Sequence, residues 1–371
     1  MSGVIVHEWL ESAGGAENVV EAMRGAFPDA DLWCLWDDSA GRFVDAHETL
    51  LARTPLRRSK ALALPTMPLV WRSLPAIDAE WVLVSSHLFA HHARFRGSAR
   101  HAPKYVYAHT PARYIWTPEL DGRGDSAIAR SASAILRPLD RRRAQEATAI
   151  AANSRFVAER IARTWERDAV VIYPPIDTKI FAQEPQLEAA DQARLDQLPQ
   201  EFLLAVSRWV PYKRLEAAIY AGAAADIPVV LAGRGPDEGR LRAIAADHPG
   251  RVSFVEQPSS PLLRALYRKA SAVVFAPVED FGIVPVEAMA SGTPVIANAI
   301  GGASESVVAG VTGAHVEAWD SADQLRAAVE TALSADPRAC VARARKFDSA
   351  TFAQHIRDFV QGAGRETNSL R

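Results

Sequence analysis

Two carboxylates with seven residues between them frame the run Glu279-Asp280-Phe281-Gly282-Ile283-Val284-Pro285-Val286-Glu287. A carboxylate only accepts hydrogen bonds, which suits the hydroxyls of a sugar or a ribose. Gly282 permits unusual backbone angles. Pro285 fits the first turn of a helix, where its missing N–H costs nothing. The spacing therefore predicts a helix start here, with Glu287 in the first turn and Gly292-Thr293-Pro294 ending the helix. Free N–H groups and the positive end of the helix dipole make such a start an anion site. Arg208 and Lys213, in Ser207-Arg208-Trp209-Val210-Pro211-Tyr212-Lys213, are two cations able to grip a diphosphate. Gly14-Gly15, before Ala16-Glu17, lets a backbone approach a ligand closely. His109, before Thr110-Pro111, can bond a sugar hydroxyl or an oxyanion. Taken singly, each has a plainer reading: a cap, a surface charge, a turn, a satisfied core histidine.

All four motifs follow short apolar runs that read as buried strands. These runs are 3–6, 80–85, 104–108, 149–153 and 169–173, then 202–206, 228–232, 252–255, 272–276 and 294–297. Unbroken apolar strands predict parallel sheets covered on both faces. Their alternation with helical stretches predicts a doubly wound α/β architecture. Pro174-Pro175 cannot extend a strand ladder, so the chain turns there. We expect a first domain over 1–175 and a second over 176–350. Ligands in open α/β sheets bind at the carboxyl ends of strands, here in a cleft between the halves.

Composition narrows the class. A chain of 371 residues suits two domains of ~100–200 residues. With 49% hydrophobic and 23% charged residues it is not a disordered chain. A net charge of −2 does not suggest a nucleic-acid binder. Cys34 and Cys340 are too few for a disulfide framework. No run approaches the ~18–20 apolar residues of a membrane span, and no signal peptide is visible. A cytoplasmic protein is expected. Charge is uneven, however. Residues 1–52 hold 2 basic and 10 acidic side chains, whereas 53–167 hold 20 and 9. The stretches Arg57-Arg58-Ser59-Lys60, 61–72 and 137–143 suit an anionic bilayer face or a lipid-diphosphate acceptor, or an ordinary solvated face. His91-His92 stands without a second cluster and reads as surface rather than ligand.

The run from Glu279 to Val295 resembles the signature E-x-F-G-[IL]-x-x-x-E-A-M-A-x-G-T-P-V of the retaining glycosyltransferases of family 4. Their fold is GT-B: two Rossmann-like domains facing across a cleft, with a C-terminal helix, here 351–371, crossing back to the first domain. The resemblance implies that Glu279 bonds the donor sugar and Glu287 the ribose. The backbone at Phe281, Gly282, Ile283 and Val284 would meet sugar and diphosphate. Ser207, Arg208 and Lys213 match S-R-x-x-x-x-K, and the two cations would stabilise the departing phosphate, so no metal is expected. Gly14 and Gly15 match G-G-A-E at the donor phosphate; Glu17 would cap or pair. Gly233 and Arg234 match a turn near the base, and Gly301-Gly302 one near the diphosphate. His109 lies in H-T-P-x-R-Y-x-W, which resembles members acting on O-antigen and exopolysaccharide, often with GDP-mannose. Arg113 and Trp116 would meet the acceptor. Glu279, His109, Arg208 and Lys213 are thus the expected catalytic residues. The implied activity is α-transfer of a hexose, mannose from GDP-mannose favoured, to a glycan or lipid-linked glycan. A UDP-sugar donor, a UDP-sugar epimerase of similar fold and a silent nucleotide-binding subunit stand as alternatives.

Overall fold

The computed structural model describes residues 2–117 and 127–366. The chain divides into two compact units, Met1–Pro175 with Ser349–Arg371, and Ile176–Asp348. The Pro174-Pro175 pair thus sits at one junction, and the last helix counts with the first unit.

The first unit is built on seven parallel strands: β1 Gly3–His7, β2 Asp31–Cys34, β3 His47–Glu48, β4 Trp81–Ser86, β5 Lys104–Ala108, β6 Ala149–Ala152 and β7 Val170–Val171. Their order is β3-β2-β1-β4-β5-β6-β7. The second unit has six: β8 Leu203–Arg208, β9 Val229–Arg234, β10 Val252–Glu256, β11 Ala272–Phe275, β12 Val295–Asn298 and β13 Gly313–Val316. Their order is β10-β9-β8-β11-β12-β13. Both orders reverse direction once, between β1 and β4 and between β8 and β11. Each reversal marks the place where a doubly wound sheet opens a binding crevice.

The apolar runs earn their strand assignments by burial on both faces. From β1 and β4, Val4, Val6, Val82 and Val84 pack on one side with Trp71, Phe89 and Trp165. Ile5 and Leu83 pack on the other with Val19, Val20 and Met23 of the helix Gly15–Ala26. Phe352, Ile356 and Val360 of the C-terminal helix Ser349–Glu366 complete that second layer. Three strands of the two large sheets were not expected from the sequence. β3 and β13 are short and broken by polar residues or glycine, whereas β2 belongs to an apolar run, 32–36, that continues beyond the strand.

The charge asymmetry partly cancels in three dimensions. Lys60 pairs with Glu11, Arg57 with Asp38, and Arg72 with Glu146 at 2.6 Å. The acid-rich first 52 residues thus supply partners for cations expected to face an anionic surface. Leu62 and Leu69 remain exposed beside them.

His91 and His92 correct the sequence reading. Both are buried, and the Nε2 atom of each lies 3.2 Å from Asp140 Oδ1. Trp116 and Trp165 donate their indole N–H groups to Asp140 Oδ2, each at 2.7 Å. Burial alone would raise the Asp140 pKa. The two histidines facing it outweigh that and hold its carboxyl below the usual range. Its stabilising contribution is therefore present above the ordinary carboxylate pKa and lost as pH falls below it. Asp140→Asn should destabilise the protein by about 3–5 kcal/mol, the usual cost of breaking a buried charged hub. Urea unfolding at neutral pH measures this, and the gap should shrink in acid.

Candidate active site

In the second unit β8 and β9 pair along six residues, from Leu203↔Val229 to Arg208↔Arg234. β8 and β11 pair only at Leu203↔Ala272 and Leu204↔Val273. Beyond Leu204 the two strands part. A narrow cavity opens there, lined by Ser207, Lys213, Phe275 and Pro277 among others. The predicted cations sit at this opening. Arg208 ends β8, is exposed, and donates to the Tyr212 hydroxyl at 3.1 Å. Lys213 closes the short 3-10 turn Pro211–Lys213, with its ammonium 5.4 Å from the Tyr212 ring centroid. Tyr212 therefore touches both cations, a role the sequence reading missed. Arg214 follows with φ of 52°, a strained value for a non-glycine residue that ends the turn.

Lys213 Nζ forms an ion pair with Glu279 Oε1, both side chains being about one-fifth exposed. The structure thus joins two of the expected catalytic residues directly. Glu279 stands in the loop after β11, and the loop after β12 supports it. Gly302 N–H donates to the Glu279 carbonyl at 2.8 Å. A Cβ on Gly302 would collide with the Asp280 carbonyl, so only glycine allows this approach. Gly282 (φ 85°) is the cap of the helix Ile283–Ala290. The Ile283 and Val284 N–H groups open its first turn and have no carbonyl within the helix to bond. Phe281 offers its backbone alone, because its ring is buried against Phe347 at 5.6 Å.

Glu287 departs from expectation. It is the fifth residue of the helix and lies in its second turn. It is half-buried and accepts a hydrogen bond from the Tyr267 hydroxyl at 2.9 Å. Burial raises its pKa, and the Tyr267 bond only partly opposes this. Gly233 and Arg234 end β9, where the Gln257 side-chain oxygen, with the amide oriented to suit the guanidinium, accepts from Arg234 Nε at 2.8 Å. Tyr267 and Gln257 were not legible as site residues, since both lie outside the motifs.

In the first unit, Gly14 precedes the helix Gly15–Ala26, and both glycines are exposed. Glu17 turns inward and accepts from the Glu11 N–H at 3.2 Å. His109 follows β5, with Nε2 2.8 Å from the Ser85 hydroxyl. Burial, then the nearby His87 and His7, hold its pKa well below the ordinary histidine value, so the ring is neutral. Arg113 opens the short helix Arg113–Trp116. Trp116 bonds Asp140, with the Arg137 and Arg141 guanidinium carbons each 5.6 Å from its ring centroid. That arrangement ties its N–H into the unit's own framework, while the partly exposed ring lines a hollow with Arg137, Arg141 and Gln145.

The family description "Glycosyl transferases group 1" matches residues 188–347, and "Glycosyltransferase Family 4" matches residues 13–180. The chain belongs to the family 4 glycosyltransferases. Its two parallel-sheet units are those of the GT-B fold. The D-inositol 3-phosphate glycosyltransferase of Mycobacterium sp. (strain JLS) is 35% identical over 222 residues, 56% of this chain and 49% of that one. The GDP-mannose-dependent alpha-(1-6)-phosphatidylinositol monomannoside mannosyltransferase of Mycolicibacterium smegmatis is 31% identical over 219 residues, 54% and 57% of the two chains. The matched region spans about half the length of these curated relatives. The Anabaena protein HepE, solved with UDP, superposes with a TM-score of 0.69 at 18% identity, covering 98% of this chain and 100% of that one. At that identity the likeness concerns fold.

The close approach at Gly302 is directly testable. Gly302→Ala should lower the melting temperature by several degrees and weaken nucleotide binding. Thermal unfolding and calorimetric titration with GDP and UDP measure the two effects.

Proposed function

We propose that this chain transfers a hexose from a nucleotide sugar to a glycan or lipid-linked glycan, with retention, forming an α-glycosidic bond. The observation that carries the reading is the Lys213–Glu279 ion pair at the opening between β8 and β11, with Arg208 beside it. Arg208 and Lys213 neutralise the charge that develops on the departing diphosphate. This charge comes from side chains, so the reaction needs no metal. Glu279, freed from Lys213 as the diphosphate arrives, accepts hydrogen bonds from donor-sugar hydroxyls. It positions the sugar and does not attack it. The N–H groups of Ile283 and Val284 add anion binding at the helix start. Glu287 accepts from the ribose. On the same reading His109 and the Gly14-Gly15 loop meet the donor, and Arg113 and Trp116 the acceptor.

GDP-mannose is the favoured donor. The H-T-P-x-R-Y-x-W run and the GDP-mannose-dependent relative support it. A UDP-sugar is the second reading, because the Anabaena structure of similar fold was solved with UDP. A thermal-shift panel without metal separates them. A ligand at 100 times its Kd stabilises the fold by about 2.7 kcal/mol. A shift with GDP and GDP-mannose alone supports the first reading. A UDP-selective shift replaces it with the second. We place the enzyme in the cytoplasm, with an acceptor at the inner face of the membrane. No described helix is long and apolar enough to cross a bilayer.

Two further outcomes follow from the site. Glu279→Gln and Lys213→Ala should each lower kcat by roughly 10²–10³-fold, the scale for losing one transition-state electrostatic partner. Near-normal turnover of Glu279→Gln overturns its assignment. Glu287 has a raised pKa in the free protein, and ribose hydroxyls favour its ionised form. Nucleotide affinity should therefore rise with pH through the Glu287 pKa, with a proton released on binding below it. Titration calorimetry in buffers of different ionisation enthalpy measures that proton.

A further inference from the structure

The end of the first unit's sheet holds three histidine rings that the motifs do not account for together. His7, His87 and His109 lie with ring centroids 5.5, 6.2 and 6.4 Å apart. His7 ends β1, His87 follows β4 and His109 follows β5. Strand register holds two of the elements in place, since His7 pairs with Ser85 and Ser85 with Tyr107. The His109 N–H donates to the Ser86 carbonyl at 2.8 Å, which fixes the backbone after β5.

One proton arrangement lets the Ser85 hydroxyl both accept and donate among these groups. His7 Nδ1 lies 3.1 Å from the Ser85 carbonyl and 3.1 Å from the Ser85 hydroxyl. A carbonyl only accepts, so Nδ1 of His7 carries the proton. His7 is wholly buried. Desolvation, against the opposing pull of Glu8, lowers its pKa to about 4, so its other nitrogen is bare at neutral pH. That nitrogen, Nε2, is buried and makes no hydrogen bond to a described residue. The Ser85 hydroxyl oxygen accepts from His7, and its own proton is directed to the remaining neighbour, His109 Nε2, at 2.8 Å. In that arrangement Nε2 of His109 is an acceptor. Because the ring is neutral, its single proton resides on Nδ1. That atom makes no hydrogen bond to any described residue and is not among the buried polar atoms.

We propose that His7 and Ser85 are positioning residues that lock His109 as a fixed hydrogen-bond donor, presenting Nδ1–H to a substrate oxygen and leaving it unable to act as a base. The inference deepens the reading above and rests on His109 meeting the donor sugar. It also sets the chemistry of the group His109 recognises: a hydroxyl or carboxylate oxygen with a free lone pair. Side chains that fix a histidine tautomer by bonding the nitrogen turned away from the substrate orient the ring and hold it ready before substrate arrives.

The tautomer can be read without knowing the donor. Two-bond proton–nitrogen spectra of the full chain labelled with [15N]histidine, with His109 assigned from His109→Gln, should show Nδ1 protonated and Nε2 bare. Ser85→Ala should release the ring to a mixture of tautomers and lower kcat about tenfold, the rate equivalent of one hydrogen bond. The Kd for nucleotide should not change. Ser85→Thr, which keeps the hydroxyl, should restore both tautomer and rate. His7→Asn, which keeps an N–H donor at the Nδ1 position, should hold the tautomer where His7→Leu loses it; this pair serves if Ser85→Ala does not fold. An Nε2–H tautomer in the wild type overturns the relay. A changed tautomer in Ser85→Ala with unchanged kcat overturns its role in the reaction. Normal turnover by His109→Ala would instead sink the assignment of His109 to the donor sugar, while the spectra would still judge the relay.

Discussion

The second unit's site depends on β8 leaving β11 after two paired residues while keeping β9 for six. A strand at the point where the order reverses has connections that run off in opposite directions. The gap between them cannot be closed by another strand. Backbone that would otherwise complete a ladder becomes loop, and the loop residues must find other partners. Lys213 finds Glu279, Arg208 finds Tyr212, and Gly302 finds the Glu279 carbonyl. In the ligand-free protein these groups satisfy one another. In the function proposed above, a diphosphate and a sugar replace those partners with ones of the same kind, so binding exchanges interactions instead of exposing bare charge. The helix Ile283–Ala290 adds its first-turn N–H groups to the same loop, which concentrates anion binding beside the acid that would hold the sugar.

The first unit uses a different device. It buries two carboxylates, Glu8 and Asp140, and surrounds each with donors. Glu8 accepts from the Leu88 and Ala90 N–H groups at 2.8 and 2.9 Å. Those bonds and the nearby His87 and His7 outweigh desolvation and keep its pKa low. Asp140 takes two indoles and faces two histidines. A buried ion is tolerated only with this degree of satisfaction. The arrangement pins the loop after β4 and the helix carrying Asp140. His87, His91 and His92 are thereby fixed beside the strand ends that carry His109. The rigidity required of His109 is supplied by groups outside the family motifs.

Much of the architecture could be read from hydrophobic runs. Ten of them anticipated ten strands, because a parallel strand buried on both faces must be apolar without interruption. β3 and β13 carry no longer apolar run to mark them, whereas β2 lies in one, 32–36, flanked by acidic residues. The helix start at Gly282 was also legible, since glycine and proline act through backbone geometry alone. Glu287 was placed one turn too early, because helix starts are read less accurately than helix existence. His91-His92 misled because a polar pair in a sequence looks exposed until its partner, 48 residues on from His92, is known. The bond from the Trp116 indole N–H to Asp140 was likewise not legible, because its acceptor lies 24 residues away.

The sequence by itself determined the fold class and named the residues that the second unit's loops gather at the opening after β8. Those depend on local patterns: apolar runs, glycines where the backbone must bend, and cations and carboxylates at set spacings. Only the tertiary structure decided which charges face one another and which protons sit where. The Lys213–Glu279 pair, the Tyr267–Glu287 bond, the Asp140 hub and the His7–Ser85–His109 chain join residues from 20 to 78 positions apart. A side chain's protonation and reach depend on burial and on neighbours brought by other strands. No spacing along one chain encodes them.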